Sequence, residues 1–485
     1  MLEDNLLMLL STGDLVPASH AHYRAVVADA LGFFLQQLPA GRRAAILQEQ
    51  ASLPAATTSI DRLVALCRQC PTLHKLGQVL ARHRPLAPEC RFALARLETH
   101  APTAAADAVQ DAIERELRTA AGEGLVVGAS PLAEASVAVV VPCAWHCGGA
   151  APRQGVIKVL KPGIVARLEE DLAVWSQLGE FLEERTAHYG LPAIDYREIF
   201  AQVRDLLLAE VCFVREQENL AAAREAFASR PGVIVPEVWP FSTARLTVMD
   251  FLPGRKVTSV EHLAAEERRT LCTAVVEHLL AGPFITTSPM AMFHGDPHAG
   301  NVLHDDAGRL GLIDWALAGR LDRRGCESLV QLVIGGASAD RSRMAAALAA
   351  SAAQVASTAG VLDVVDRAMQ RLLRGAVPGP RWLCAVMDDA AASGAVRFSE
   401  DFLLLRKVMA VVDGVAGDIW PDCDIDAVVI AHLFRSLAGE WPARAANPFS
   451  ATPHGVPVAT ADLFAMAAEA PLAMGRWWME WFRQR

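Results

Sequence analysis

The sequence predicts an α+β fold of two lobes preceded by helices, and three changes of texture along the chain predict it. Over the first hundred or so residues apolar side chains recur at helical spacing. From Leu125 β-branched runs take over, and after about Val257 helical spacing returns. The opening helices read from Arg24 to Leu35 and from Asp61 to Leu66, and a further one, rich in Ala, Glu and Leu, from Ala104 to Thr119. Val137–Val141 and Gly155–Leu160 flank the turn-like stretch Gly148–Pro152, which predicts a hairpin. Helical spacing covers Val165 to Phe227, and Gly232–Pro236 with Arg245–Met249 reads as another strand pair. In the helical second half a strand is expected at Leu310–Ile313, behind the strong turn Asp305-Asp306-Ala307-Gly308. These shifts divide the chain into a helical extension (1–124), a strand-rich lobe (125–255), a mainly helical lobe (256–445) and a Trp-rich tail (446–485), with no internal repeat.

Composition narrows the function classes. With 52% hydrophobic and 21% charged residues the 485-residue chain is globular and long enough for two to three domains. A formal charge of −10 without any basic stripe argues against a nucleic-acid partner. Met1–Leu10 lacks the positive start of a secretory signal, and no apolar run reaches the length of a membrane span, so a cytoplasmic location is expected, with peripheral contact to a membrane surface left open. Ten cysteines in such a chain do not form a disulfide scaffold. The clusters Cys67-Arg68-Gln69-Cys70 and Cys143-Ala144-Trp145-His146-Cys147 lie far apart in sequence, and buried or incidental thiols are a better reading than zinc.

The chemistry concentrates in Phe293-His294-Gly295-Asp296-Pro297-His298-Ala299-Gly300-Asn301 and Leu312-Ile313-Asp314-Trp315. A loop with Asp and, five residues on, Asn, then a hydrophobic strand ending in a second Asp, is how protein-kinase-like folds arrange a base and two metal ligands around ATP phosphates. Mg²⁺ needs hard oxygen ligands. Asp314 and Asn301 would supply them, and Asp296 would orient or deprotonate the attacking hydroxyl. A polar turn with solvated carboxylates is the alternative for either segment alone.

Beyond these segments the chain resembles the UbiB/AarF/ADCK family of atypical kinases. Lys75-Leu76-Gly77-Gln78 is similar to its KxGQ motif on a helical extension, and Pro131-Leu132-Ala133-Glu134-Ala135-Ser136-Val137-Ala138 resembles the Ala-rich loop that replaces a Gly-rich phosphate loop. Val156–Gly163 resembles the segment with the phosphate-binding lysine, here Lys158, and Glu210–Asn219 resembles the ExD helix with its downstream Glu216 and Asn219. Phe402–Lys407 is similar to a helix of the second lobe, and the ordered series covers about residues 65–440. The resemblance implies a two-lobed protein-kinase-like fold binding ATP or ADP with Mg²⁺. It makes Asp296 and Lys158 catalytic, and Asn301 and Asp314 metal ligands. Ala133, Ala135, Ser136, Val137, Ala138 and Glu210 join Lys158 around the nucleotide, and Lys75, Gln78 and Glu216 form a regulatory extension over the cleft. It also implies a role in making an isoprenoid quinone or another lipid-like small molecule, with biosynthetic enzymes as partners. Lysine 158, one charge in a hydrophobic strand, is expected to meet a phosphate and the Glu210 carboxylate. Lys75 and Gln78, one helical turn apart, share a face, and the acids expected to receive them are Asp296, Glu216 and Asp314.

The chain departs from the family pattern at Cys212, where ExD has Asp, at Asp314-Trp315-Ala316 in place of DFG, and at Asp250, where the third strand is usually followed by Glu. Two other readings stay open: a nucleotide-binding pseudokinase scaffold, favoured by those departures, and a small-molecule phosphotransferase of the aminoglycoside or choline kinase type, which His294-Gly295-Asp296 also resembles. The C-terminal Arg476–Arg483, with Trp and Phe among Arg, suits a bilayer interface, a partner groove or packing onto the protein itself.

Overall fold

Amphipathic helices short of β-branched runs must bury one stripe each, and the first part of the chain does so by folding helix on helix. In the computed structural model, which describes residues 16, 18–81, 86–97, 106–118, 123–134, 137–146, 151–190, 195–446 and 454–483, these are α1 (Arg24–Gln37), α2 (Ala40–Ser52), α3 (Ser59–Gln69), α4 (Pro71–Ala81) and α5 (Pro88–Ala95). Thr58 caps α3, its hydroxyl accepting from the Asp61 N–H at 3.1 Å. Phe34, Leu35, Leu66, Leu94 and the thiols of Cys67, Cys70 and Cys90 form one core, closed by Val174 and Trp175. Cys67 and Cys70 are thus core thiols, and burial pushes Cys67 up to about 12. Cys147 lies outside the described residues.

The expected helix of residues 104–119 is α6 (Ala106–Leu117), which buries Val109 and Ile113 against a sheet. That sheet contains β1 (Leu125–Val127), β2 (Ala133–Glu134), β3 (Ala138–Trp145) and β4 (Arg153–Leu160), in antiparallel pairing. Helical spacing then yields α7 (Ile164–Glu184), α8 (Tyr196–Glu210) and α9 (Phe213–Ala226), separate helices where the sequence reads as one continuous pattern. Next come β5 (Val233–Ile234) and β6 (Leu246–Asp250). The sequence suggests that these two pair with each other; instead β6 pairs with β4, and β5 lies parallel to a later strand. Nothing in an apolar run names its partner, because pairing here is decided by segments far along the chain.

The chain separates into two compact units, Met1–Gln217 with Val238–Phe251, and Glu218–Glu237 with Leu252–Arg485. Along the chain the division falls within α9, between Gln217 and Glu218.

In the second unit β7 (Arg255–Lys256), β9 (Val302–His304) and β10 (Leu310–Leu312) join β5, while β8 (Met290–His294) pairs antiparallel with β11 (Ala318–Asp322). The β9–β10 hairpin turns as expected: Asp305 Oδ1 accepts from the Ala307 and Arg309 N–H groups at 3.0 and 2.8 Å, and Gly308 takes φ +76°. Apart from a small antiparallel pair, β12 (Ala352–Val355) with β13 (Val396–Phe398), helices build the remainder: α10 (Ala265–Val276), α11 (Arg323–Ala337), α12 (Arg341–Ser351), α13 (Thr358–Leu373), α14 (Pro380–Ala392), α15 (Glu400–Ile419), α16 (Ile425–Ala446) and α17 (Thr460–Arg483). Helix α17 carries the Trp-rich tail. Its Arg476 and Trp477 donate at 3.0 Å to the Ser338 and Ala337 carbonyls at the end of α11, so the packing alternative holds for these two, whereas Trp478 is exposed. Among the described residues no helix is long and apolar enough to cross a membrane.

Candidate active site

The first unit presents three lysine–carboxylate pairs, of which those of Lys158 and Lys75 bear on the expected site. Lys158 sits in mid-strand on β4, paired in register with Val140 on one side and Thr247 on the other. Strand alternation sends its neighbours Ile157 and Val159 into the core beneath α6 and turns Lys158 to the opposite face. There its Nζ donates to Glu216 Oε1 at 2.7 Å and stands 5.4 Å from the centre of the Phe213 ring. Glu216 belongs to the first turn of α9, which Gln217 fastens to β6 through its amide N–H bonds to the Thr243 carbonyl (2.8 Å) and Thr247 hydroxyl (3.0 Å). The expected partner of Lys158, Glu210, ends α8 instead and is bridged to Lys75 of α4. The interruption at Val211 and Cys212 accounts for the exchange: the two acids stand on different helices, and each meets a different lysine.

The helix carrying Lys75 and Gln78 is held tightly. Gly77 faces the end of α5 and the turn after it, where an added Cβ would lie 3.4 Å from Leu94 Cδ2 and 2.5 Å from Leu97 Cδ1, so the motif glycine permits a close approach there. At the start of α4 the Thr72 N–H and hydroxyl both donate to the buried Asp171 carboxylate of α7 (3.2 and 3.0 Å), whose other oxygen pairs with Arg42 at 2.7 Å. A carboxylate accepting at a helix N-terminus satisfies otherwise orphaned donors.

Of the Ala-rich loop, Ala133 pairs with Val140 on an exposed edge, and Ala135 and Ser136 lie outside the described residues. Val137 and Ala138 are buried with Leu160, Ile164 and Phe213, and the Val137 carbonyl accepts from Lys161 N–H. Their side chains are core, and the expected approach to a phosphate is one made by backbone amides, which this burial leaves unchanged. Glu134 pairs with Lys161 at 2.6 Å. Asp250 is committed to Arg153 (2.7 Å) and to the Trp239 indole N–H (2.9 Å).

In the second unit His294 organises the acidic loop. It is buried, its Nδ1 accepts from the Asp296 N–H at 3.1 Å, and its Nε2 bonds the Ile313 carbonyl at 3.0 Å. Only the neutral tautomer protonated on Nε2 makes both bonds, and burial, which pushes the His294 pKa down, favours it. One ring thus ties the residue that begins the loop to the residue before Asp314. Gly295 is required beside it, because its N–H meets the Leu317 carbonyl at 3.0 Å and an added Cβ would lie 2.9 Å from that backbone. The Asn301 amide nitrogen donates to the Asp296 carbonyl at 3.1 Å, which fixes the side chain across the loop. Asp314 adopts φ +60°, a left-handed conformation that Asp tolerates better than most residues. Ala316 is not among the positive-φ residues, so the lost DFG glycine removes no conformation used here. Trp315 is fully buried: its indole N–H bonds the Leu312 carbonyl (3.1 Å), its own carbonyl accepts from Asn219 (2.9 Å), and its ring meets His294 and Phe227.

The ABC1 atypical kinase-like domain matches residues 96–348, more than half of the chain. The chain belongs to this family. Among similar proteins, an uncharacterized protein of Synechocystis is 25% identical over 374 residues (74% of this chain, 61% of that one), and one of Mycobacterium tuberculosis is 30% identical over 269 (52% and 51%). A Cellvibrio japonicus protein named "Probable protein kinase UbiB" is 25% identical over 395 residues, 79% of this chain and 70% of its own. The chain spans between about half and three-fifths of the length of the first two.

One residue that meets the acidic loop is not singled out by sequence reasoning. Lys407 of α15 places Nζ 2.9 Å from Asp296 Oδ1, and His298 Nε2 stands 3.7 Å from Oδ2. The segment Phe402–Lys407 carried a resemblance but no role, since a lysine on a long amphipathic helix looks solvated in sequence. Among the described residues no group of three or more His, Cys, Asp and Glu converges to hold a metal by itself. Asp314 and Asn301 offer two hard oxygen donors, which fits a Mg²⁺ that draws its remaining ligands from phosphates and water.

Proposed function

We propose that this chain is an atypical kinase or ATPase that binds ATP or ADP with Mg²⁺ and serves the making of an isoprenoid quinone or another lipid-like small molecule. The observation that carries the reading is the His294 clamp, which fixes the Asp296 loop and the segment leading to Asp314 through one neutral ring. Asp314 and Asn301 would hold the metal, which supplies charge neutralisation of phosphate oxygens when bound. Asp296 would accept the proton of the attacking hydroxyl, and Lys407, ion-paired with it, would orient its carboxylate. In the first unit Lys158, ordered by Glu216, would meet phosphate. Residues 1–124 would form the regulatory extension of this enzyme, with the lobes at 125–255 and 256–445 and the tail at 446–485. The relative named as a UbiB protein kinase supports this direction. The experiment is thermal-shift titration with ATP and ADP, with and without Mg²⁺, on wild type, Asp314→Asn and Asp296→Asn. Melting should rise with RT ln(1 + [L]/Kd); Asp314→Asn should lose the Mg²⁺-dependent part, and Asp296→Asn should keep it while losing phosphate release. No shift at millimolar nucleotide rejects the reading.

A nucleotide-binding scaffold is the second reading, favoured by the Asp296 carboxylate already engaged by Lys407. Binding without phosphate release in wild type would select it.

A further inference from the structure

Away from the acidic loop, the helical part of the second unit fails to close. A cavity of about 110 Å³, partly open to solvent, remains among the helical segment 277–284, α11, α14, α15, α16 and Pro457. Leu280, Phe284, Val330, Leu383, Met409 and Leu433 are among its walls, and the only side-chain heteroatoms in the lining are the sulfurs of Cys326 and Met409. Burial pushes the Cys326 thiol up to about 12, so it is neutral. A water in a cavity needs two to four polar partners, and apolar cavities without them stay dry and accept hydrocarbon. An ion would lose its hydration there with nothing in return.

Size limits the occupant further. A comparable apolar cavity of about 150 Å³ admits benzene, so this one takes a fragment of roughly four or five carbons, with the rest of a chain leaving through the mouth. The surroundings supply a second argument. Ile285, Val330 and Leu433 pack against a cluster of Ile334, Val456 and Val458 that also receives Leu463 and Met466 of α17. Outside that cluster α16 and α17 expose Phe434, Trp441 and Phe464, the last two in edge-to-face contact at 5.7 Å. None of these three rings lines the cavity, so adhesion of a hydrophobic probe to them is distinguishable from occupancy of the site.

We propose that the cavity binds the hydrocarbon end of a small uncharged amphiphile, whose polar head stays outside. The site is separate from Asp296, Asn301 and Asp314, none of which lines it, and it does not depend on the nucleotide reading. Helix α15 nevertheless connects the two regions, since Leu405 and Met409 form cavity wall while Lys407 between them holds Asp296. A chain end in the cavity braces the helix that carries this lysine.

The test uses the full chain and a diazirine analogue of octanol as photolabel, with geraniol and decan-1-ol as competitors. Saturable labelling should fall in peptides containing Leu329–Val333 and Val429–Leu433 and should be displaced by either alcohol; the one acting at lower concentration tells a branched prenyl source from a linear alkyl one. Leu433→Trp and, as a milder filling, Val330→Phe should each cut labelling at least ten-fold while the protein still melts cooperatively. Labelling that does not saturate, that maps to the exposed Phe434 or Trp441, or that survives both variants overturns the proposal. The Mg²⁺–ADP thermal shift, measured on the same samples, reports only on the nucleotide reading, so the two can fail separately.

Discussion

Two lysines of the first unit, each joined to a glutamate, show how burial changes the meaning of one and the same ion pair. Lys158 and Glu216 are 9% and 1% exposed at their side chains, on a strand and the first turn of a helix. Lys75 and Glu210, at 34% and 15%, join two helices nearer the surface. The first pair has surrendered its hydration and must stay intact, because either partner left alone is a buried charge. The second keeps water as an alternative partner and contributes little to folding. The buried pair is therefore a fixed part of the fold, and the less buried pair can be exchanged at smaller cost.

The largest expected effect comes from breaking the buried pair. Lys158→Met should cost about 3–5 kcal/mol in urea unfolding, and Lys158→Met with Glu216→Leu should recover most of it, as replacement of both charges removes the stranded one. A single variant within about 1 kcal/mol of wild type would show that Glu216 keeps water and that the comparison fails. A middle effect belongs to Cys212, which precedes α9 and whose carbonyl accepts from Glu216 N–H at 3.3 Å. It occupies the N-cap position, where Asp side chains accept from the first-turn amides and Cys does not. Cys212→Asp should stabilise by about 0.5–2 kcal/mol, read as a higher urea midpoint at constant slope; an unchanged midpoint would mean that the missing acid is not a helix cap. The smallest stability effect, under about 1 kcal/mol, is expected for Lys75→Ala. Its signature should lie in the ratio of ATP to ADP affinity and in basal phosphate release, and if both equal the wild type, α4 has no bearing on nucleotide.

What was legible in the sequence follows from how local each feature is. The Asp305–Gly308 turn and the strand before Asp314 are set by residues within a few positions of one another, and the structure has both where the sequence suggests. The partner of Lys158 was not legible. Choosing between Glu210 and Glu216 requires the helix break at Val211 and Cys212, which no Gly or Pro announces. The pairing of β5 with β10, and the burial of Val137 and Ala138 under Phe213, likewise depend on segments far away in the chain. Lys407 escaped for the same reason: more than a hundred residues separate it from the aspartate it holds.

Trp315 has a consequence for inhibitor chemistry. Compounds that gain selectivity among kinase-like proteins by turning the aromatic of this motif out of its pocket would here have to extract a fully buried indole, break its N–H bond to Leu312, release the Asn219 amide and uncover His294 and Phe227. An indole buries more area than a phenyl ring and leaves a polar atom unsatisfied when displaced. Ligands built for the undisplaced arrangement should therefore outperform those that demand the flip.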